Sequence, residues 1–125
     1  MSRLLLVGLG GFLGSASRYL LGGLVQRAAP DVLFPIGTLA VNVIGCLGIG
    51  LLAGLAETRG VFGPEVRVFL MIGVLGGFTT FSTFGYETFQ LLRDVQVLPA
   101  VANVLLQVGL GLPAVWAGYV LARLP

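Results

Sequence analysis

The sequence predicts an all-α integral membrane protein with four transmembrane helices. Two compositional figures and one pattern carry that reading. Only 10% of the 125 residues are charged and 57% are hydrophobic, whereas soluble domains carry about a quarter charged residues. Four apolar blocks, at residues 4–25, 34–56, 66–92 and 97–122, each reach the roughly 20 residues a helix needs to cross a bilayer. Together they make one four-span domain of residues 1–125, with no room for a soluble unit.

The first block carries Gly8, Gly10, Gly11 and Gly14, then Ser15, Ser17 and Arg18. Arg18 sits inside it and no small-residue cleavage pattern precedes a mature domain, so a retained span is expected rather than a cleaved signal. Gly8-x-Gly10-x-x-x-Gly14 superficially resembles a dinucleotide fingerprint, but no strand precedes it and no acidic residue follows at the required distance. Close helix packing explains these glycines, and equally Gly50-xxx-Gly54 and Gly73-xxx-Gly77. Pro30 and Asp31 mark the first loop, and Pro35 suits a helix start. The second block places Thr38, Asn42 and Cys46 one turn apart, a polar stripe on an apolar helix. Asn42 reads either as an interhelical hydrogen bond or as a pore-lining amide. The connection Glu57–Glu65 is the most polar stretch, with Gly60, Gly63 and Pro64 as turn formers. Arg93 and Asp94 close the third block, and the fourth opens near Pro99 and carries Asn103, Gln107 and Gly111.

The third block is different in kind. From Gly73 to Phe84 it reads GVLGGFTTFSTF, which sets Gly76-Gly77, Thr79, Thr80, Ser82 and Thr83 inside an oily span. An unbroken spanning helix has no need of them. Lipid leaves free backbone groups unsatisfied, so a third helix broken mid-membrane survives only inside protein or beside a polar cavity. Such a break frees carbonyls around Gly76 and Thr79, oxygens able to coordinate a hard cation such as sodium. Phe78, Phe81 and Phe84 recur every three residues and are expected on one helical face. They read as packing, or as rings whose electropositive edges favour a small anion, beside hydroxyls that donate hydrogen bonds.

Arg18 and Glu87 lie well inside spans, whereas Arg67 stands at the start of the third block. Arg18, roughly 10 Å from its span's end, either snorkels to water or raises the local anion concentration at a vestibule mouth. Glu87 reads as a paired or hydrated interfacial acid, or as a proton or cation site. With no His and one Cys, there is no intrachain disulfide, no Cys/His zinc site and no histidine base. No nucleophile–base pair is visible, so the chain is not read as an enzyme. The seven basic residues form no run, which excludes nucleic acid. With the N-terminus inside, Arg3, Arg59, Arg67 and Arg123 face Arg27 and Arg93 across the membrane, a small bias that permits insertion both ways.

With these residues in view, the sequence resembles the Fluc-type fluoride channels of the CrcB family over essentially its whole length. The resemblance rests on Gly11-x-x-Gly14-x-x-x-Arg18-Tyr19, on Gly37-Thr38-Leu39-x-Val41-Asn42 with Gly45, and most specifically on Gly76-Gly77-Phe78-Thr79-Thr80-Phe81-Ser82-Thr83-Phe84. It implies an antiparallel, dual-topology homodimer in the bacterial inner membrane, with two fluoride pathways. Passive, selective export would then lower cytoplasmic fluoride and its toxicity. It also implies that Phe81 and Phe84 contact fluoride edge-on, and that Asn42, Ser82 and Thr83 line the path. The carbonyls of Gly76 and Thr79 would hold a structural sodium ion at the dimer centre, with Arg18 and Glu87 near the pathway ends. Family members often carry a serine or threonine track on the fourth span. Here Asn103 and Gln107, one turn apart, stand in its place and are able to present amides to the pathway.

The alternative is a proton-coupled exporter of organic cations, also small and of dual topology. That class needs a deep carboxylate, usually in the first span, where this sequence has only Arg18. An assembly subunit would explain the glycines but not the hydroxyl run.

Overall fold

A computed structural model describes residues 2–30 and 33–125 of the chain; Asp31, expected in the first loop, lies outside them. Among the described residues every regular element is helical. Four segments are long and apolar enough to span a bilayer: Arg3–Ala28, Ile36–Thr58, Pro64–Arg93 and Val97–Leu121. The first runs on past the expected residue 25, and the third begins at Pro64, whose missing N–H costs nothing at a helix start.

We label the helices α1 (Ser2–Ala28), α2 (Ile36–Thr58), α3 (residues 64–78), α4 (Phe81–Arg93) and α5 (Val97–Leu121). Helix α3 opens with an α-helical turn, Pro64–Arg67, continues as a π-helical stretch, Val68–Leu75, and ends with Gly76–Phe78. Thr79 (ψ 158°) and Thr80 (φ −152°) then take extended backbone before α4 begins. Thr80 caps α4, its hydroxyl accepting the Thr83 N–H at 3.2 Å, which satisfies a donor that the first helical turn leaves free. At the other end of α4, the N–H groups of Val95 and Gln96 return to the carbonyls of Leu92 and Leu91. This is a Schellman closure. Its left-handed position is held by Val95, φ 59°, where glycine is the usual occupant.

Helix α1 packs along α3, α2 along α5, and α4 against α5. The close contacts are made by glycine, as the sequence spacing anticipated. A Cβ on Gly10 would stand 2.7 Å from the Phe69 carbonyl oxygen, and one on Gly77 2.6 Å from that of Gly11. A Cβ on Gly14 would come closer still to the Val74 carbonyl, and those on Gly50 and Gly118 would run into the Val115 and Leu47 carbonyls in the α2–α5 seam. Only small residues allow backbones to approach so nearly. Gly8, by contrast, meets nothing within 4 Å.

One expectation fails. Phe78, Phe81 and Phe84 do not share a helical face, because the extended pair Thr79-Thr80 separates the first from the other two. Phe78 is buried at 9% exposure, while Phe81 stands out at 82%.

Candidate functional site

Asn42 organises the centre of the molecule. From α2 its side-chain oxygen accepts the Thr80 N–H at 2.9 Å, and its NH2 donates to the Thr80 carbonyl at 3.1 Å. The same NH2 reaches the side-chain oxygen of Gln107 on α5, also at 3.1 Å. An asparagine amide thus substitutes for a missing helical turn, pairing both main-chain groups of a residue only 9% exposed. Buried backbone groups need such partners.

The carbonyls follow from these bonds. In a continuous helix the Thr80 N–H would close onto Gly76 and the Thr83 N–H onto Thr79. Here the first goes to Asn42 and the second to the Thr80 hydroxyl. Gly76 and Thr79 thereby lose their helical donors, and their carbonyls become available to another partner. Thr79 keeps its own N–H and hydroxyl on the Leu75 carbonyl, each at 3.0 Å. Among the described residues no three His, Cys, Asp or Glu side chains gather, so a cation in this region would draw on neutral oxygens, the Gly76 and Thr79 carbonyls among them.

An open groove of about 390 Å³ lies against the extended pair, lined by Asn42, Cys46, Gly76, Thr79, Phe81, Phe84 and Gln107 among others. Phe81 and Phe84 meet edge to face, ring centroids 5.4 Å apart at 63°. A second cavity of about 400 Å³ has Arg18, Gln26, Thr38, Thr83 and Glu87 on its wall, and a third of about 220 Å³ has Glu87, Gln90 and Asp94. Thr80 borders the first two and Glu87 the last two. The cavities therefore follow one another along α4.

Glu87 is held by the Thr38 hydroxyl, which donates to one carboxylate oxygen at 2.7 Å; the other is buried without a protein donor. Arg18 shares the cavity wall but makes no ion pair with it among the described residues. The hydroxyls of the run pair with one another, Thr80 with Thr83 at 3.0 Å and with Ser82 at 3.3 Å. Thr83 borders the second cavity, whereas Ser82 is exposed and borders none of the three.

The two amides of α5 part company. Gln107 joins the groove. Asn103, at 0% exposure, turns to α4 and donates to the Thr88 hydroxyl at 2.9 Å, which in turn donates to the Phe84 carbonyl at 2.8 Å. It borders none of the cavities. The signal for Thr80 in the sequence is its place at a helix start, three residues before Thr83, which has the form of an N-cap.

Such a groove can strip and re-coordinate a small anion with ring edges, an amide and hydroxyls, without a formal charge at its centre. Comparison with known proteins points the same way. The family model described as "CrcB-like protein, Camphor Resistance (CrcB)" matches residues 5–119. The chain is 48% identical, over 99% of its length and 97% of the relative's, to the "Fluoride-specific ion channel FluC" of Methylobacillus flagellatus. It is 49% identical, over 98% of each, to that of Geobacter sulfurreducens. To "Fluoride-specific ion channel FluC 3" of Methanosarcina barkeri it is 45% identical, over 98% of this chain and 91% of the relative.

Proposed function

The chain belongs to the CrcB family, and from that premise we propose that it is a fluoride-selective channel. It is a multi-pass membrane protein and not an enzyme, and it lets fluoride leave the cytoplasm passively, lowering the internal concentration of a toxic anion. The observation that carries the reading is the groove itself. Two edge-to-face phenyl rings, Phe81 and Phe84, stand beside an amide pair, Asn42 and Gln107, in an apolar wall. Fluoride is small and strongly hydrated, so it enters only where donors and ring edges replace its water. Thr83 continues the path toward the second cavity, Ser82 adds a hydroxyl beside it, and Arg18 attracts the anion at that mouth. Glu87 stands on the wall of that same cavity and of the third.

The working unit is an antiparallel homodimer in the bacterial inner membrane, with the third span broken at membrane depth. Three features support this: the small difference in arginine across the membrane, the exposure of Phe81, and carbonyls at Gly76 and Thr79 that one copy leaves only half enclosed. A sodium ion fits between two such sets, since it takes main-chain oxygens readily; bound there, it would pin the crossed spans and offset the anion's field. No observation favours the organic-cation exporter.

The test is efflux from proteoliposomes. Fluoride should leave without a proton or sodium gradient, chloride should scarcely leave, and Phe81→Ile and Phe84→Ile should each cut flux while the dimer persists. Chloride flux equal to fluoride would end the selectivity claim. Protein purified and reconstituted without sodium should lose dimer stability or flux; indifference to sodium in both would remove the cation from the reading.

A further inference from the structure

We infer that Thr88 is a positioning residue for the anion path: locked by Asn103, it fixes the main chain of Phe84 and so the angle at which the ring edges meet the groove. This deepens the fluoride-channel reading and rests on it. Little holds α4 in place. The helix carries both rings, yet Leu91 is its one buried residue, and Phe81, Ser82, Gly85, Tyr86 and Phe89 stand exposed. Among the described residues two side-chain hydrogen bonds tie it to other helices. The Thr38 hydroxyl on α2 donates to Glu87, and the Asn103 NH2 on α5 donates to the Thr88 hydroxyl at 2.9 Å. Glu87 and Thr88 are consecutive, so their side chains leave the helix about 100° apart and pin one turn to two neighbours. That turn directly follows Phe84.

The direction of the bonds decides what the pin does. An NH2 group can only donate, so Thr88 accepts from Asn103 and keeps its own proton to give. The proton goes to the Phe84 carbonyl one turn back, at 2.8 Å. Turning the Asn103 amide over would offer its oxygen to the hydroxyl and draw that proton away from Phe84. A hydroxyl otherwise rotates to suit its surroundings; this one is held, and the bond it accepts strengthens the one it donates. A threonine bonded to the carbonyl four residues back tends to bend a helix there, and here that carbonyl belongs to the residue whose ring meets Phe81 edge to face. Asn103 acts from behind the groove, wholly buried and bordering none of the cavities. Stability does not account for the pair. The Asn103 oxygen is buried without a protein donor, which is costly, whereas apolar groups of the same shape at both positions would be nearly neutral or stabilising. What the polar pair adds is direction.

Stability and flux should therefore separate. Asn103→Leu combined with Thr88→Val should keep the wild-type elution volume and unfold at the wild-type midpoint or above it. Fluoride efflux from proteoliposomes should nevertheless fall on the order of tenfold or more, as small misplacements of a binding group do. Thr88→Val alone should lose flux in the same direction, and it carries the test if the double variant does not elute as the wild type does. Thr88→Ser keeps the hydroxyl and should stay close to wild-type flux. Full flux through Thr88→Val and the double variant, beside an active wild type, overturns the positioning role and leaves the channel reading standing. So does a loss in Thr88→Ser equal to that in Thr88→Val, or a midpoint that falls together with the flux, since the pair would then be a structural tie. Wild-type vesicles that release no fluoride would remove the channel reading itself.

Discussion

Asn42→Leu is the substitution that tests the architecture most directly. It keeps the branching and the number of side-chain heavy atoms and removes three hydrogen bonds, two to Thr80 and one to Gln107. Thr80 is buried, so its N–H and carbonyl are both left without a protein partner. Each orphaned buried group costs roughly 1–3 kcal/mol, or about 2–6 kcal/mol for the two. Leucine returns part of this through apolar burial, about 1.5–3 kcal/mol if its side chain is wholly covered, and less at a half-buried site. A net loss of about 2–4 kcal/mol is expected. Denaturant unfolding in mild detergent measures it against the wild type. Hydrogen exchange at the Thr80 amide reports the local consequence, because Asn42 is the acceptor that protects this N–H. The exchange should accelerate. An unchanged unfolding free energy together with unchanged Thr80 protection would refute the claim that Asn42 holds the extended pair in place.

The glycine seam gives a second expectation. Gly14→Ala puts a methyl group into the Val74 carbonyl and, at 2.7 Å, the Phe78 nitrogen, so it should cost at least the 1–3 kcal/mol typical of overpacking. Gly8→Ala, with open space around it, should be close to neutral; equal thermal unfolding of the two variants would refute the seam. Val95→Gly removes a β-branched side chain from φ 59°, a conformation costing about 1–2 kcal/mol outside glycine, and Val95 is 83% exposed, so little packing is lost. It should stabilise the protein by about 1 kcal/mol after glycine's extra unfolded-state entropy, and a lower unfolding midpoint would count against the strain.

Much of this was legible in the sequence because each part is dictated locally. Span length and apolar composition give the four helices. The spacing of Gly10, Gly14, Gly73 and Gly77 gives the α1–α3 seam, since glycine at intervals of four lines up on one face. Asn42 was visible as a polar residue in an apolar stripe, with both its readings open, and the amide does bridge helices. What could not be read was the partner. Nothing local to Thr80 says that a side chain on α2 will replace its helical bond, because that contact joins residues 38 apart in sequence. The phasing of the phenylalanines failed for the same cause: a period of three carries a face only while the helix continues, and here the backbone is extended between Phe78 and Phe81. Asn103 and Gln107 looked equivalent at one-turn spacing. They diverge because α5 runs against α4 at Asn103 and beside the groove at Gln107.

The position of Asn42 ties together properties that look independent. By taking the Thr80 N–H, it leaves the Gly76 carbonyl without its helical donor, open to the cation proposed there. By giving its two hydrogens to the Thr80 carbonyl and the Gln107 oxygen, it links the extended pair to α5 at the wall of the groove. One neutral side chain thus fixes both the extended pair and the groove wall beside it, with polarity set by the direction of its bonds. Aspartate at this position would keep the acceptor for the Thr80 N–H but lose both donors, so the Thr80 amide should stay protected from exchange while fluoride efflux falls. Asparagine is the small side chain that has one acceptor and two donors to spend on the two sides of the break.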